Sequence, residues 1–381
     1  MNISPISEIS GNFLFGMDIS SLIVMENAGF KFHNHEGMED DLLNILKESG
    51  VNMVRVKIWN DPYDKDGNGY GGGNSDLAKA LLIAGRAQKY GIKLLLDFHY
   101  SDFWSDPARQ LAPKEWKSFN IEEKADALYK FTFHCLEELH KTRAEISIIQ
   151  IGNEINHGLA GEHEYKEKCT LIKAGIKAIK DFNRTFKTDI LSAVHFTDPD
   201  KGFEYICEYL KDNDVDYDVF GCSFYATWHG NSKCLVPSLK HIVETYNKKV
   251  MILETAWPHD MPPANLIYTY GYVDFEVSVQ GQIDFMEDII YELSKLGDDA
   301  LGISYWEPAW LNTTEEEWNR YGTGWASKYA GAYDNEAKDN EGVSGVDEQS
   351  LFYADGYDIY PLPSVNIYNI VKYGKVLSDK K

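Results

Sequence analysis

Apolar residues in this chain gather into short runs, and between the runs lie longer stretches whose apolar positions recur at helical spacing. Each run is short enough for a strand, and each intervening stretch is long enough for a helix packed on one face. The runs predict strands at Phe13–Asp18, Val51–Trp59, Ile92–His99, Ile146–Ile151, Ile190–Phe196, Asp218–Tyr225, Val250–Glu254 and Leu301–Trp306. The amphipathic stretches predict helices at Asp40–Ser49, Asp76–Tyr90, Ile121–Lys141, Lys166–Asn183, Phe203–Asp212, Leu235–Asn247, Val279–Leu296 and Ser364–Tyr373. Gly50 and Gly91 stop the first two of these helices.

Strands alternating with helices to this extent predict an α/β fold, a single (β/α)8 TIM barrel spanning residues 1–381, with right-handed crossovers. The length beyond the usual ~250 residues falls into long loops after the strands, at the C-terminal face where such barrels place their chemistry. No Pro/Ser-rich linker, repeat or low-complexity tract divides the chain.

Polar side chains recur at the predicted strand ends: Asp18, Arg55, Asp97, His99, Glu154, His195, Tyr225, Glu254 and Trp306. Two apolar strands, the fourth and the seventh, finish in glutamate. A lone strand-end glutamate is usually a solvated or salt-bridged carboxylate. Two on nearly opposite strands of a barrel can converge across its mouth, with Arg55 and His99 available to tune them. Glycoside hydrolysis needs such a pair, one carboxyl holding a proton and one ionised. At about 5–5.5 Å apart, the ionised partner attacks the anomeric carbon directly and configuration is retained. The expectation is therefore Glu154 as acid/base, Glu254 as nucleophile, and Asn153 on the sugar 2-hydroxyl.

Composition narrows the partners. The formal net charge of −23 among 381 residues repels phosphates, so nucleic acid and anionic membrane are excluded as partners. The 9 Trp and 24 Tyr provide more flat rings than a core alone requires, and sugars stack on such rings. Cys135, Cys169, Cys207, Cys222 and Cys234 have no Cys-x-x-Cys spacing, which predicts reduced thiols and no zinc site. No window is apolar enough to span a membrane, and the first residues lack a basic and apolar signal pattern. A cytoplasmic monomer without cofactor is expected, or a secreted one if a signal has been lost.

The motifs VRVKIW (54–59), DPYDKDGNGYGGG (61–73), LLLDFHYSDFWSDP (94–107), QIGNE (150–154), SFYATWHG (223–230), Glu254–Pro258, SYWEPAW (304–310) and Leu362–Val365 run from end to end of the chain. In these stretches the sequence resembles glycoside hydrolase family 53, the arabinogalactan endo-β-1,4-galactanases. The resemblance implies a retaining barrel enzyme acting on β-1,4-galactan, with acid/base after strand four and nucleophile after strand seven. It further implies that Asp18, Arg55, His99, Asn153, Tyr225, Trp228, His229, Trp306 and Trp325 line the sugar site. Asp102, Trp104 and His195 join them as candidate substrate contacts. Ala226 departs from a usual proline and Ala256-Trp257 from a usual Ser-Tyr. The loop 259–271 lacks the calcium-binding pattern of some bacterial members.

Other signals read blandly. Asp64–Gly69 imitates the start of an EF-hand loop, but its twelfth position is Ser75 and no helix precedes it. Gly71-Gly72-Gly73 is followed by no Lys-Ser/Thr and is no phosphate cradle. His33 and His35, and the acidic run 334–347, read as solvated loop. Two alternatives remain open on sequence: a barrel glycosidase for mannan, xylan or glucan, and a non-catalytic sugar binder.

Overall fold

In the computed structural model, which describes residues 5–260, 274–340 and 347–374, eight parallel strands close into a barrel in chain order. They are β1 (Leu14–Asp18), β2 (Met53–Ile58), β3 (Lys93–Phe98), β4 (Ile146–Ile151), β5 (Leu191–Phe196), β6 (Val219–Ser223), β7 (Lys249–Thr255) and β8 (Ala300–Tyr305), with β8 pairing back onto β1. A main helix follows each strand: α1 (Leu42–Glu48), α2 (Leu77–Tyr90), α3 (Ile121–His140), α4 (Tyr165–Phe186), α5 (Glu204–Asp212), α6 (Ser232–Tyr246), α7 (Val279–Ser294) and α8 (Ile367–Tyr373). The predicted strands and helices all form. α6 starts at Ser232, ahead of Leu235, because the Asn231 side chain accepts the Lys233 N–H at 2.7 Å and caps it earlier.

The barrel interior is layered by the two-residue period of its strands. The lower layer is apolar: Leu14, Met53, Leu95, Ile148, Ala193, Val219, Met251 and Leu253. Two residues further along the same strands the interior turns polar, with Arg55, Asp97, Gln150 and His195 all buried. The apolar floor therefore fixes a platform directly beneath the polar groups. A Leu→Ala change in that floor is expected to cost about 2–5 kcal/mol, since packed barrel residues cannot collapse into the void. Gly221 is required for the fit: a Cβ there would sit 2.1 Å from Leu253 Cδ1.

Two kinds of feature lie below the reach of periodicity. A small sheet pairs Lys31–Phe32 in parallel with Asp358–Pro361, itself antiparallel to Phe352–Asp355. Short helices Leu22–Asn27, Ala226–His229 and Glu315–Tyr321 occupy the long loops. Strands of two residues and helices of one or two turns leave too few apolar repeats to read. Among the described residues, no helix is long and apolar enough to cross a membrane.

Candidate active site

Strand alternation alone would misplace Glu254. Met251 and Leu253 face the barrel interior, so the next residue should face outward. The pairing of β6 with β7 slips at this point: Cys222 opposes Ile252, whereas Ser223 opposes Glu254. That bulge re-aims Glu254 to the mouth. There it is 7% exposed and anchored at both oxygens. Arg55 Nη2 lies 2.7 Å from Oε1, and the Tyr225 hydroxyl donates to Oε2 at 3.2 Å. Burial pushes the Glu254 carboxyl up, and the Arg55 guanidinium opposes that shift.

Arg55 is the hub. Its Nη1 donates to Asp18 at 2.6 Å, its Nη2 to Asp97 at 2.8 Å and Asn153 at 3.0 Å, and its Nε to Gln150 at 3.1 Å. Burial works against its charge, but Asp97, Glu254 and Asp18 outweigh that and raise its pKa. For Asp18, burial raises the pKa, yet Lys57, Arg55 and two hydrogen bonds from Ser20 hold it below the ordinary value. Asn153 thus shares one arginine nitrogen with Glu254, which brings the ends of β4 and β7 to one place.

Glu154 follows Asn153 in a backbone conformation unusual for a non-glycine residue, φ +46°. Gln110 braces that turn from its amide, donating to the carbonyls of Asn153 at 2.8 Å and Glu154 at 3.3 Å. Lys168 on α4 donates to the carbonyl of Asn156 at 2.8 Å. Ser223 Oγ donates to Glu154 Oε1 at 2.6 Å, and His195 Nε2 lies 2.9 Å from that serine oxygen. With its own proton given to Glu154, Ser223 accepts from Nε2–H, leaving Nδ1 to accept the Glu154 N–H at 3.3 Å. His195 is neutral: burial, Arg55 and His99 push its pKa well below the ordinary value. Glu154 is only partly exposed; burial and the Glu254 charge push its carboxyl up to about 8, against the pull of Ser223. The two glutamates thus have different environments. Glu254 faces a cation, whereas Glu154 faces a neutral hydroxyl and keeps its proton at neutral pH.

A second buried pair lies beside them. Lys57 Nζ contacts Glu307 at 2.6 Å and Asp18 at 3.8 Å, and Ser21 Oγ donates to Glu307 at 2.7 Å. Glu307 follows Trp306 at the end of β8 with φ +43°. Lys57 Nζ also stands 4.8 Å from the Trp104 ring and 5.4 Å from the Trp306 ring.

The aromatic residues form a continuous group. Trp104 and Trp325 stack at 4.3 Å, Trp310 stacks against both, and Trp306 abuts all three. Trp325 and Trp306 keep partly exposed faces, and Trp228 is 49% exposed beside Tyr225. His229 Nδ1 accepts the Tyr225 N–H at 3.0 Å, orienting that tyrosine. His99 is buried; its Nδ1 accepts the Ser105 N–H and its Nε2 meets Asp97 at 3.0 Å, so it orients Asp97. Two further expected sugar contacts are buried. Asp102 is buried and accepts the N–H groups of Asp61 at 3.0 Å and Lys114 at 2.7 Å, a brace between loops. Trp104 is 5% exposed, with Trp325 stacked on its ring.

Sequence reading missed Lys57, Glu307, Gln150 and Ser223. Lys57 and Gln150 look like ordinary strand residues until cross-strand register sets Lys57 beside Asp97, and Asp97 beside Gln150. Glu307 carried a signal: it directly follows the strand-end Trp306, as Glu154 follows Asn153.

Among the described residues, no cluster of His, Cys, Asp or Glu is arranged to hold a metal. Asp64 accepts from the N–H groups of Asp66 and Asn68, which makes the EF-hand-like segment a turn. His33 stacks on Tyr360 and His35 meets Asn366, so they serve separate contacts. Residues 261–271 of the loop after β7 and 341–346 of the acidic run lie outside the described residues. Cys135, Cys169, Cys207 and Cys222 are buried free thiols. A cavity of about 680 Å³ at the opposite barrel end is lined by Leu14, Ile148, Leu191 and Leu301. It lies at the starts of the strands, where conserved chemistry is not found in this fold.

The sequence profile of glycosyl hydrolase family 53 matches residues 14–367. The endo-β-1,4-galactanase of Bacillus subtilis (strain 168) is 40% identical over 390 residues, covering 98% of this chain and 89% of its own. The solved GH53 catalytic domain of Ignisphaera aggregans superposes with a TM-score of 0.84 at 32% identity, covering 97% of this chain and 99% of that domain. A structure from a study of two fungal β-1,4-galactanases gives a TM-score of 0.74 at 26% identity, covering 93% and 98%. With a match of this length laid over a closed barrel whose mouth gathers two unlike glutamates, the chain belongs to glycosyl hydrolase family 53.

Proposed function

We propose that the protein is an endo-β-1,4-galactanase that cleaves β-1,4-galactan, or its oligosaccharides, with retention of configuration. The observation that carries this reading is the shared arginine. Arg55 Nη2 touches both Glu254 and the Asn153 that precedes Glu154, so a protonated and an ionised carboxyl flank one site. The relatives' names supply the sugar. The exposed faces of Trp228, Trp306 and Trp325 supply the platforms on which a chain of rings can lie.

In the first step a Glu254 oxygen attacks C1 while Glu154 passes its proton to the glycosidic oxygen. The C1–O bond breaks and the leaving chain departs as an alcohol carrying that proton. Glu154, now a carboxylate, takes a proton from water as the water oxygen attacks C1. The ester bond to Glu254 breaks, its carboxylate is restored and Glu154 is protonated again; one water is consumed. Asn153 hydrogen-bonds the 2-hydroxyl, a contact that strengthens in the transition state. Tyr225 and Arg55 hold the nucleophile in orientation.

Release of reducing ends from linear potato galactan, compared with mannan, xylan and glucan, tests the substrate. Galactan alone should be cleaved, giving mixed oligosaccharides early in the reaction. Turnover of mannan in preference to galactan, or sugar binding without turnover, overturns the reading.

A further inference from the structure

The mechanism leaves one buried acid without a task. Glu307 is 2% exposed and belongs to a chain of alternating charges that ends on Glu254. Glu307 Oε1 meets Lys57 Nζ at 2.6 Å, Lys57 meets Asp18 Oδ1 at 3.8 Å, Asp18 Oδ2 meets Arg55 Nη1 at 2.6 Å, and Arg55 Nη2 meets Glu254 Oε1 at 2.7 Å. The groups facing Glu307 are Lys57 from β2, Asp18 from β1 and the Ser21 hydroxyl after β1. Those facing Glu254 are Arg55, Asp97, Asp18, Lys57 and Tyr225, with Glu154 across the mouth.

Two cations, Arg55 and Lys57, therefore serve four buried acids: Asp18, Asp97, Glu254 and Glu307. In surroundings this dry, one charge changes the balance for all of them. When Glu307 is ionised it neutralises Lys57, and Asp18 is left to Arg55. When Glu307 takes a proton, the Lys57 charge is drawn to Asp18 and onward through Arg55 to Glu254. A nucleophile in more positive surroundings is a weaker base and attacks more slowly.

We propose that Glu307 is a positioning residue that sets the nucleophilic strength of Glu254 through Lys57, Asp18 and Arg55, and that its ionisation shapes the pH dependence of glycosyl transfer to Glu254. The inference rests on the reading of Glu254 as nucleophile. Burial pushes the Glu307 carboxyl up to about 7, with Lys57 opposing, so its charge changes near neutral pH.

The test is the pH profile of kcat/KM for wild type, Glu307→Gln and Glu307→Asp on galactan. Glutamine keeps the shape and the contact with Lys57 but carries no charge. Wild type should show an inflection near pH 7 that the Gln variant lacks. The Gln variant should be slower roughly three- to tenfold above that pH and merge with wild type below about pH 6, where Glu307 is already neutral. Glu307→Asp should restore the inflection. A Gln variant slowed equally at every pH, or not at all, overturns the proposal. Carboxyl-carbon NMR titration of Glu-labelled protein keeps the two readings apart, because it needs no turnover. The Glu254 signal should follow a second step near pH 7 that disappears in Glu307→Gln, and a Glu254 signal indifferent to Glu307 overturns the proposal. Failure of wild type to cleave galactan instead strikes the galactanase reading.

Discussion

Arg55 Nη2 stands 2.7 Å from Glu254 Oε1, with Arg55 fully buried and Glu254 nearly so. The same nitrogen donates to Asn153 at 3.0 Å, so one guanidinium orients the end of β7 and the end of β4 together. Removing it should therefore damage folding and chemistry at once. Arg55→Met leaves Asp18, Asp97 and Glu254 buried without their counter-ion, at a cost of about 3–5 kcal/mol. Urea unfolding should show that loss. Arg55→Lys keeps the charge without the fork, so it should recover much of the stability and little of the kcat. Equal kcat in Arg55→Lys and wild type would argue against the hub.

The alkaline limb of activity follows Glu154. In the proposed mechanism its proton, held to about pH 8, passes to the leaving group. Ser223 donates to Glu154 Oε1 and lowers that value. Ser223→Ala should therefore move the alkaline limb of kcat/KM to higher pH, leaving the acid limb in place. A shift to lower pH would contradict the assignment.

Stability carries the same signature with a definite sign. The Glu154 carboxyl titrates near 8 in the fold against an ordinary value of 4.5. Its bound proton contributes stability that is fully present below 4.5 and is lost as pH rises through 8. Glu154→Gln removes the need to bury a carboxylate. The variant should melt with wild type at pH 4 and a few degrees above it at pH 9. Identical melting curves at both pH values would show that Glu154 is not held in the protonated state.

Trp325 presents a partly exposed face and stacks on Trp104 at 4.3 Å. Trp325→Ala should raise KM for long galactan chains roughly tenfold with little change in kcat, the effect of losing one ring-stacking platform. Trp104→Ala should do the same indirectly, by releasing Trp325. Unchanged KM in both variants would remove the platform from the account.

The barrel was legible because its strands are buried on both faces and read as mostly apolar runs, such as ISIIQI at 146–151. The strand-end rule then pointed to Glu154, Glu254 and Arg55 without any knowledge of contacts. What stayed hidden depends on register. Ser223 acquires meaning only as the neighbour of Glu254 across a bulge, and Gln150 only as the neighbour of Asp97. A residue's own sequence neighbourhood does not encode which strand position lies opposite it. Asp102 shows the same limit from the other side. A polar residue in an aromatic loop looks available for sugar, yet two backbone N–H groups already occupy its carboxylate.

The division of labour between the two glutamates is tested most directly by azide rescue of truncated variants on an aryl β-galactobioside. Azide should restore turnover in Glu254→Gly by entering from the face left vacant by the nucleophile, giving the α-glycosyl azide. In Glu154→Ala it should intercept the glycosyl–Glu254 ester and give the β-glycosyl azide. The reverse pair of products, or the same anomer from both variants, would contradict the roles assigned here.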